Sequence, residues 1–303
     1  MLNNVTLVVP TTPLDVRSFL SNSKKFFQYL PIKRVCLICD TSKINNFSLD
    51  PNIILYEESE LISYSAISNL LASRTNDKYV QKRTGWYLQQ FLKMAFARVC
   101  EDDYYLLWDS DTIPLKLIDI FDKDGKPYLD YKTEYYKAYF DTLGKLLPGF
   151  KKMYHGSFIA EHMLVNTQHM CELLDVIEAN ETLSGNFFYE KIINAISLEE
   201  LSQAGFSEFE TYGTYVYKKY RGSYHLRRWY SFRFGGLFFI NDDMKDNGLI
   251  EWMALHYHAI TFEKNHSLSR ARVVLLKKTI RKLFGPRILD WLSVPVRIYR
   301  RIF

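Results

Sequence analysis

Short apolar runs alternate with longer amphipathic stretches over the first hundred residues. Val5–Val9 is a largely apolar run closed by Pro10, with Thr11 and Thr12 after it. It predicts a buried strand that ends in a loop. Residues 19–30 carry helical spacing. Arg34–Cys39 predicts a second buried strand ending at Asp40, and Ile53–Tyr56 a short third one. Residues 58–73 and 84–99 again repeat apolar positions at helical spacing, and Tyr104–Trp108 predicts a fourth strand that runs straight into Asp109. Strands alternating with helices imply a mainly parallel sheet flanked by helices. Ligands of such sheets gather at the carboxyl ends of the strands. Here those ends carry Thr11, Asp40 and the run Asp109-Ser110-Asp111.

The pattern then changes. Asp124-Gly125 is a hairpin signal between short apolar runs in residues 113–131. Residues 158–165 predict a strand, 167–179 and 186–196 helices, and Ser207 a helix start. Residues 234–240 and 253–261 read as strands. The expected organisation is one domain over residues 1–263 and a basic amphipathic helical tail over 264–303.

Charge sharpens that division. The chain has 303 residues and a net charge of +5. Residues 264–303 hold 11 Lys/Arg against one acid, Asp290, a net of +10. Residues 1–263 are left with 28 bases and 33 acids, a net of −5. A basic tail with Val273, Leu276, Phe284 and Trp291 interleaved suits an anionic membrane surface. Nucleic acid is not expected, because no recognition motif accompanies the charge. No run approaches the length of a membrane-spanning helix, and the Val5–Val9 run is too short for a secretory signal. The expected location is cytoplasmic, peripheral on the inner face of the cytoplasmic membrane. Cys36 and Cys39 have CxxC spacing on a strand, where they face opposite ways, so buried free thiols are expected rather than zinc. Aromatics make up 16% of the chain, a composition that suits both a core and sugar-binding clefts.

Asp109 and Asp111 carry the clearest chemistry. Two carboxylates two residues apart, at the end of an apolar strand, grip a hard divalent cation (Mn2+ or Mg2+) and leave positions open for a diphosphate. Such an ion neutralises charge as a nucleoside diphosphate departs.

The run Tyr105–Pro114, with Asp109-Ser110-Asp111 at its centre, resembles the D-x-D segment of GT-A glycosyltransferases. Gly85–Lys93 and Phe206–Gly213 resemble, more narrowly, segments of a family of bacterial sugar transferases from surface-polysaccharide loci. The resemblance spans roughly residues 5–261 and leaves out the tail. It implies a GT-A-like fold and transfer of a sugar, galactose being one candidate, from a UDP-sugar to a glycan or lipid-linked acceptor in capsule or lipopolysaccharide synthesis. It further implies donor contacts from Thr11, Asp40, Arg83, Gln89, Lys93 and Ser110. Glu161 and His162 interrupt an apolar strand where such folds border the sugars; a sugar hydroxyl or an internal hydrogen bond would satisfy them. His256 and His258 are candidates for the late histidine that completes the metal site.

Ser207-Glu208-Phe209-Glu210 fits a capping box. A carboxylate at a helix N-terminus is expected to stay ionised and to serve as general base in an inverting transfer, so Glu208 and Glu210 are both candidates. Two other functions remain open. Nucleotidyl transfer lacks the Gly-rich loop it would need after the first strand, since Val9–Pro13 contains no glycine. A non-catalytic membrane-binding module explains the tail and leaves Asp109-Ser110-Asp111 without a role.

Overall fold

A computed structural model of the chain describes residues 5–44, 49–263 and 283–294. The chain forms two compact units. The first comprises residues 1–13, 32–109 and 120–228, the second 14–31, 110–119 and 229–303. In chain order the described elements begin with β1 (Val5–Pro10), α1 (Pro13–Tyr29), β2 (Ile32–Cys39), β3 (Ile53–Glu57), α2 (Tyr64–Arg74), α3 (Lys78–Gln81), α4 (Thr84–Ala95) and β4 (Tyr104–Trp108). There follow β5 (Thr112–Pro114), β6 (Tyr128–Tyr131), α5 (Lys137–Leu146), β7 (His162–Asn166), α6 (Thr167–Glu178), α7 (Phe188–Ala195) and α8 (Glu208–Lys219). The last are β8 (His225–Arg228), β9 (Ser231–Phe232), α9 (Gly235–Phe238), α10 (Asn247–Ala254), β10 (Ala259–Thr261) and a short helix Ile288–Leu292.

In the first unit, five strands form one sheet in the order β3-β2-β1-β4-β7. β1 pairs in parallel with β2 and β4, and β2 with β3, while β7 runs antiparallel to β4. The expected α/β architecture with a mainly parallel, helix-flanked sheet is what the chain adopts. Every residue of β1 is buried, as a sheet covered on both faces requires. Cys36 and Cys39 are fully buried free thiols, and burial pushes each up to about 12.

The second unit has its own three-stranded sheet, order β5-β10-β9. Its core gathers Ile113, Phe232, Met244, Leu249, Met253, Tyr257 and Leu289. The tail segment 283–294 packs within this unit: Leu289 is buried, and the Tyr257 hydroxyl donates to Asp290 Oδ2 at 2.7 Å. The rest of the expected amphipathic tail, 264–282 and 295–303, lies outside the described residues. Among the described residues no helix is long and apolar enough to cross a membrane.

The hairpin signal at Asp124-Gly125 marks a real turn, with Gly125 at φ 78° and an antiparallel bridge between Phe121 and Pro127, while β5 and β6 pair elsewhere. Two expectations are corrected. Residues 235–238 form a helical turn rather than a strand, with Gly235 so close to Thr261 that a Cβ would fall 2.6 Å from its carbonyl oxygen. Residues 247–254 are helical because Asp246 caps them, accepting from the Leu249 amide. The strand there is only Ala259–Thr261.

Candidate functional site

The sheet of the first unit delivers Asp109 at the carboxyl end of β4. Its position is fixed from two sides. Its backbone N–H donates to the carbonyl of Glu161 at 2.9 Å, one step beyond the Trp108–His162 pair of the β4–β7 ladder. Its carboxylate Oδ1 accepts from Lys93 Nζ at 2.6 Å. Among the described residues the second oxygen, Oδ2, has no partner, and the side chain is about a quarter exposed (26%).

Lys93 is the pivot. It lies in the second half of α4, where Leu92, Met94 and Ala95 are also buried, and its ammonium bridges Asp109 and Glu208, the latter at 2.7 Å. It also sits 4.3 Å from the centroid of the Phe209 ring. Burial alone would lower its pKa, but the two carboxylates outweigh burial and raise it. With its amide nitrogen turned to Glu208, Gln90 donates to Oε2 at 2.7 Å and to the Phe206 carbonyl at 3.2 Å. Glu208 is thus consumed by Lys93 and Gln90. The expectation that Lys93 meets a diphosphate is corrected, since its charge is already matched twice inside the protein.

Glu210 behaves differently. Ser207 caps α8, its hydroxyl accepting from the Glu210 amide at 3.2 Å, but the reciprocal half of the expected capping box is absent. The Glu210 carboxylate turns instead to the Ser157 hydroxyl and the Phe158 amide. Gly213 makes this approach possible: a Cβ there would lie 2.4 Å from the Phe158 ring. The carboxyl pKa is raised, first by burial, against the lowering influence of Ser157, Lys152 and the Phe158 amide. The helix N-terminus was expected to hold this group firmly ionised. Desolvation reverses the sign of that expectation.

Glu161 and His162 find internal partners. Glu161 is buried, its Oε1 accepts from Lys132 Nζ at 2.6 Å, and it adopts φ 61°. Among the described residues no other non-glycine has a positive φ, a conformation that costs about 1 kcal/mol or more and concentrates at functional sites. His162 Nε2 lies 2.9 Å from Asp130 Oδ2 and Nδ1 2.9 Å from the Ala160 carbonyl, with its ring against Trp108. Arg227 clamps Asp130 with two bonds of 2.6 and 2.7 Å. Burial would raise the Asp130 pKa, yet Arg227 and His162 hold it at about 2. Sequence reasoning missed Lys132, Asp130 and Arg227. The one available signal was Asp130 inside the apolar context of Tyr128–Tyr131.

Of the other expected donor residues, Thr11 donates its amide to Ile38. Asp40 is tied to Lys43 at 2.6 Å and to Ser42 at 2.5 Å, which lower its pKa. Gln89 is half-buried. Arg83 stacks on Trp86, its guanidinium carbon 3.8 Å from the ring centroid.

Ser110 and Asp111 open the next segment of the second unit. The Asp111 carbonyl accepts from Phe262 at 2.8 Å, and β5 pairs antiparallel with β10. His258 adjoins Leu115 at the other end of that ladder. Four residues of strand, roughly 13 Å, therefore separate it from Asp111. Neither histidine lies on the strand. His258 stacks on Trp229 (4.6 Å), and His256 lies against Tyr230, Tyr257 and the Arg287 guanidinium, a cation that opposes a metal. The register sets His258 apart from Asp111 along the ladder, and His256 precedes it by two residues. Among the described residues no group of three or more His, Cys, Asp or Glu is arranged to hold a metal.

A family described as "Family of unknown function (DUF6492)" matches residues 16–232. No curated protein matches. Similar solved structures include apo mouse xyloside xylosyltransferase 1 (10% identity, 88% of this chain and 100% of that one, TM-score 0.42). Another is the apo bifunctional glycosyltransferase WbbM (13%, 95% and 51%, 0.47). A third is the galactosyltransferase LgtC with donor and acceptor sugar analogues (9%, 91% and 96%, 0.41).

Proposed function

Because the chain belongs to the DUF6492 family, whose function is unknown, we propose its activity from the site: transfer of a sugar from a UDP-sugar to a glycan or lipid-linked acceptor in surface polysaccharide synthesis. The observation that carries this reading is Asp109. It is a carboxylate at the end of a parallel strand, braced by a buried lysine and by the carbonyl of a strained Glu161, with one oxygen left open. A buried lysine shared by two carboxylates holds Asp109 in one direction, the kind of support a binding carboxylate needs.

Asp109 Oδ2, with Asp111 two residues on, would hold Mn2+ or Mg2+, which supplies charge neutralisation at a diphosphate. Lys93 fixes Asp109 in direction through the 2.6 Å contact to Oδ1. Glu210 is the base. Its buried carboxylate accepts the proton of the acceptor hydroxyl as that oxygen bonds to the sugar C1 and the C1–O bond to UDP breaks, the electron pair leaving with UDP. The raised pKa makes it a stronger base than a solvated glutamate. A base on the acceptor side corresponds to inversion, and galactose is a candidate sugar.

The membrane reading draws on the second unit. Leu255, Leu283, Phe284 and Trp291 are exposed, and the sequence on either side of residues 283–294 is rich in Lys and Arg. Exposed apolar anchors in a basic sequence suit an anionic bilayer at the inner face of the cytoplasmic membrane. Trp291→Ser is expected to move the protein from anionic vesicles into the soluble fraction; unchanged sedimentation refutes this contact.

The test of the activity is release of UDP from a panel of UDP-sugars, with Mn2+ and with chelator, for the wild type and for Asp109→Asn and Asp111→Asn. Metal-dependent release from one donor, reduced roughly a hundredfold in either variant, is expected. No release from any UDP-sugar, together with no metal-dependent nucleotide binding, removes the reading.

A further inference from the structure

Buried and half-buried cations in the first unit are matched by acceptor oxygens almost without exception. Lys93 has Asp109 and Glu208, Lys132 has Glu161, and Arg227 has Asp130. Arg74 donates to the carbonyls of Ile193 and Ile196, and Lys191 to that of Asn180. Even Lys152 reaches the Gly156 carbonyl at 2.7 Å.

Arg83 breaks the rule. Its guanidinium lies on Trp86, its Nε is buried without a hydrogen-bond partner, and among the described residues it makes no ion pair. The polar groups acting on it are the phenols of Tyr87 and Tyr139, and burial lowers its pKa. Tyr87 and Tyr139 themselves are committed to walls of the fold. The Tyr87 hydroxyl donates to the Leu201 carbonyl, and Tyr139 packs edge-on against Tyr136 at 5.2 Å. The Tyr136 hydroxyl in turn donates to Glu200 at 2.6 Å, so that ring is held in place. At Gly85, two residues on, the space a Cβ would occupy is open, with nothing within 4 Å.

An arginine held on an indole, with its buried Nε donor unpartnered, is suited to receive an oxyanion. A planar guanidinium takes a carboxylate or phosphate bidentately, and its loss of hydration on the ring is repaid only when such a group arrives. Fixed aromatic walls then offer faces for the C–H surface of a sugar ring.

Distance decides which end of the substrate this is. Arg83 and Lys93 are ten residues apart on or beside one helix, about 15 Å along its axis. A diphosphate held at Asp109 spans much less than that. We propose, resting on the transferase reading above, that Arg83 and Trp86 form a subsite for the acceptor, and that the acceptor is an acidic glycan bearing a carboxylate or phosphate on a sugar.

The test follows the Arg83 Nε–H resonance by NMR in the full chain, assigned through Arg83→Lys, during titration with glucuronate, glucose 6-phosphate, glucose and UDP. Glucuronate, glucose 6-phosphate or both should move it, and glucose and UDP should not; whichever anion acts tells carboxylate from phosphate. Arg83→Gln should weaken binding of that sugar roughly tenfold or more. No response to either charged sugar, or an equal response to glucose, overturns the proposal. A response to UDP alone also overturns it and returns Arg83 to the donor. Binding of glucuronate at Arg83 by a protein that binds no nucleotide would instead keep the anion subsite and sink the transferase reading.

Discussion

At its C-terminal end α4 buries Lys93 between two carboxylates; at its N-terminal end Arg83 lies on an indole with none. Both are cations at the ends of one helix, Lys93 buried and Arg83 half-buried, and desolvation acts to lower the pKa of both. In Lys93 the neighbours win and the pKa rises; in Arg83 they do not. The difference separates two jobs. A matched charge in a dry interior is a rigid strut that orients its partners. An unmatched one is costly to keep and has a use only if something arrives to match it.

The largest expected effect tests the strut. Lys93→Met removes the shared counter-charge and leaves Glu208 buried and Asp109 half-buried with like charges facing each other. It should destabilise the protein by about 3 kcal/mol in denaturant unfolding and weaken metal-dependent nucleotide binding. Adding Glu208→Gln removes the stranded charge, so the double variant should recover a good part of that stability. A double variant that simply summed the two losses would mean that Lys93 and Glu208 do not act as one unit.

How far this arrangement was legible in the sequence depends on which neighbours each residue needs. β1 to β4 and their helices could be read because buried parallel strands are nearly uninterrupted apolar runs, and Asp109 stood out as the polar stop after one of them. Lys93 was visible as a cation in the stretch Phe91–Ala95. Its partner Glu208 is 115 residues away, and no local pattern reports such a pairing. The same holds for Asp130 with Arg227. Glu210 was legible as a helix-start residue, and its surroundings were not: burial against Ser157 overrides the helix terminus. In the second unit, alternation misread 234–240 and 253–261, where Gly235 and the Asp246 cap mattered more than the apolar content.

A second prediction asks whether matched charge is a general property of the Asp109 surroundings. Asp130, beside His162, is held at about 2 against an ordinary 3.8. A depressed carboxylate contributes its full stability above the unfolded value and loses it as pH falls through the folded one. Stability should therefore decline between about pH 4 and pH 2, with Asp130 accounting for on the order of 2 kcal/mol. In Asp130→Asn that part of the acid limb should vanish, at the cost of a lower midpoint at neutral pH because Arg227 and His162 lose their acceptor. An acid limb of unchanged depth in the variant would show that Asp130 carries no such share.

The smallest effect on stability, and the sharpest contrast, belongs to Arg83→Gln. If Arg83 were a strut like Lys93, its loss would cost several kcal/mol. As an uncompensated cation it contributes the stacking of its guanidinium on Trp86 and incurs the desolvation of its own charge, two opposing quantities of similar size. The change in unfolding free energy should accordingly stay within about 0.5 kcal/mol of zero, and raising the salt concentration should leave it there, since no internal ion pair is lost. A loss comparable with that of Lys93→Met would mean that Arg83 is already matched within the protein, and the two ends of α4 would then no longer differ in kind.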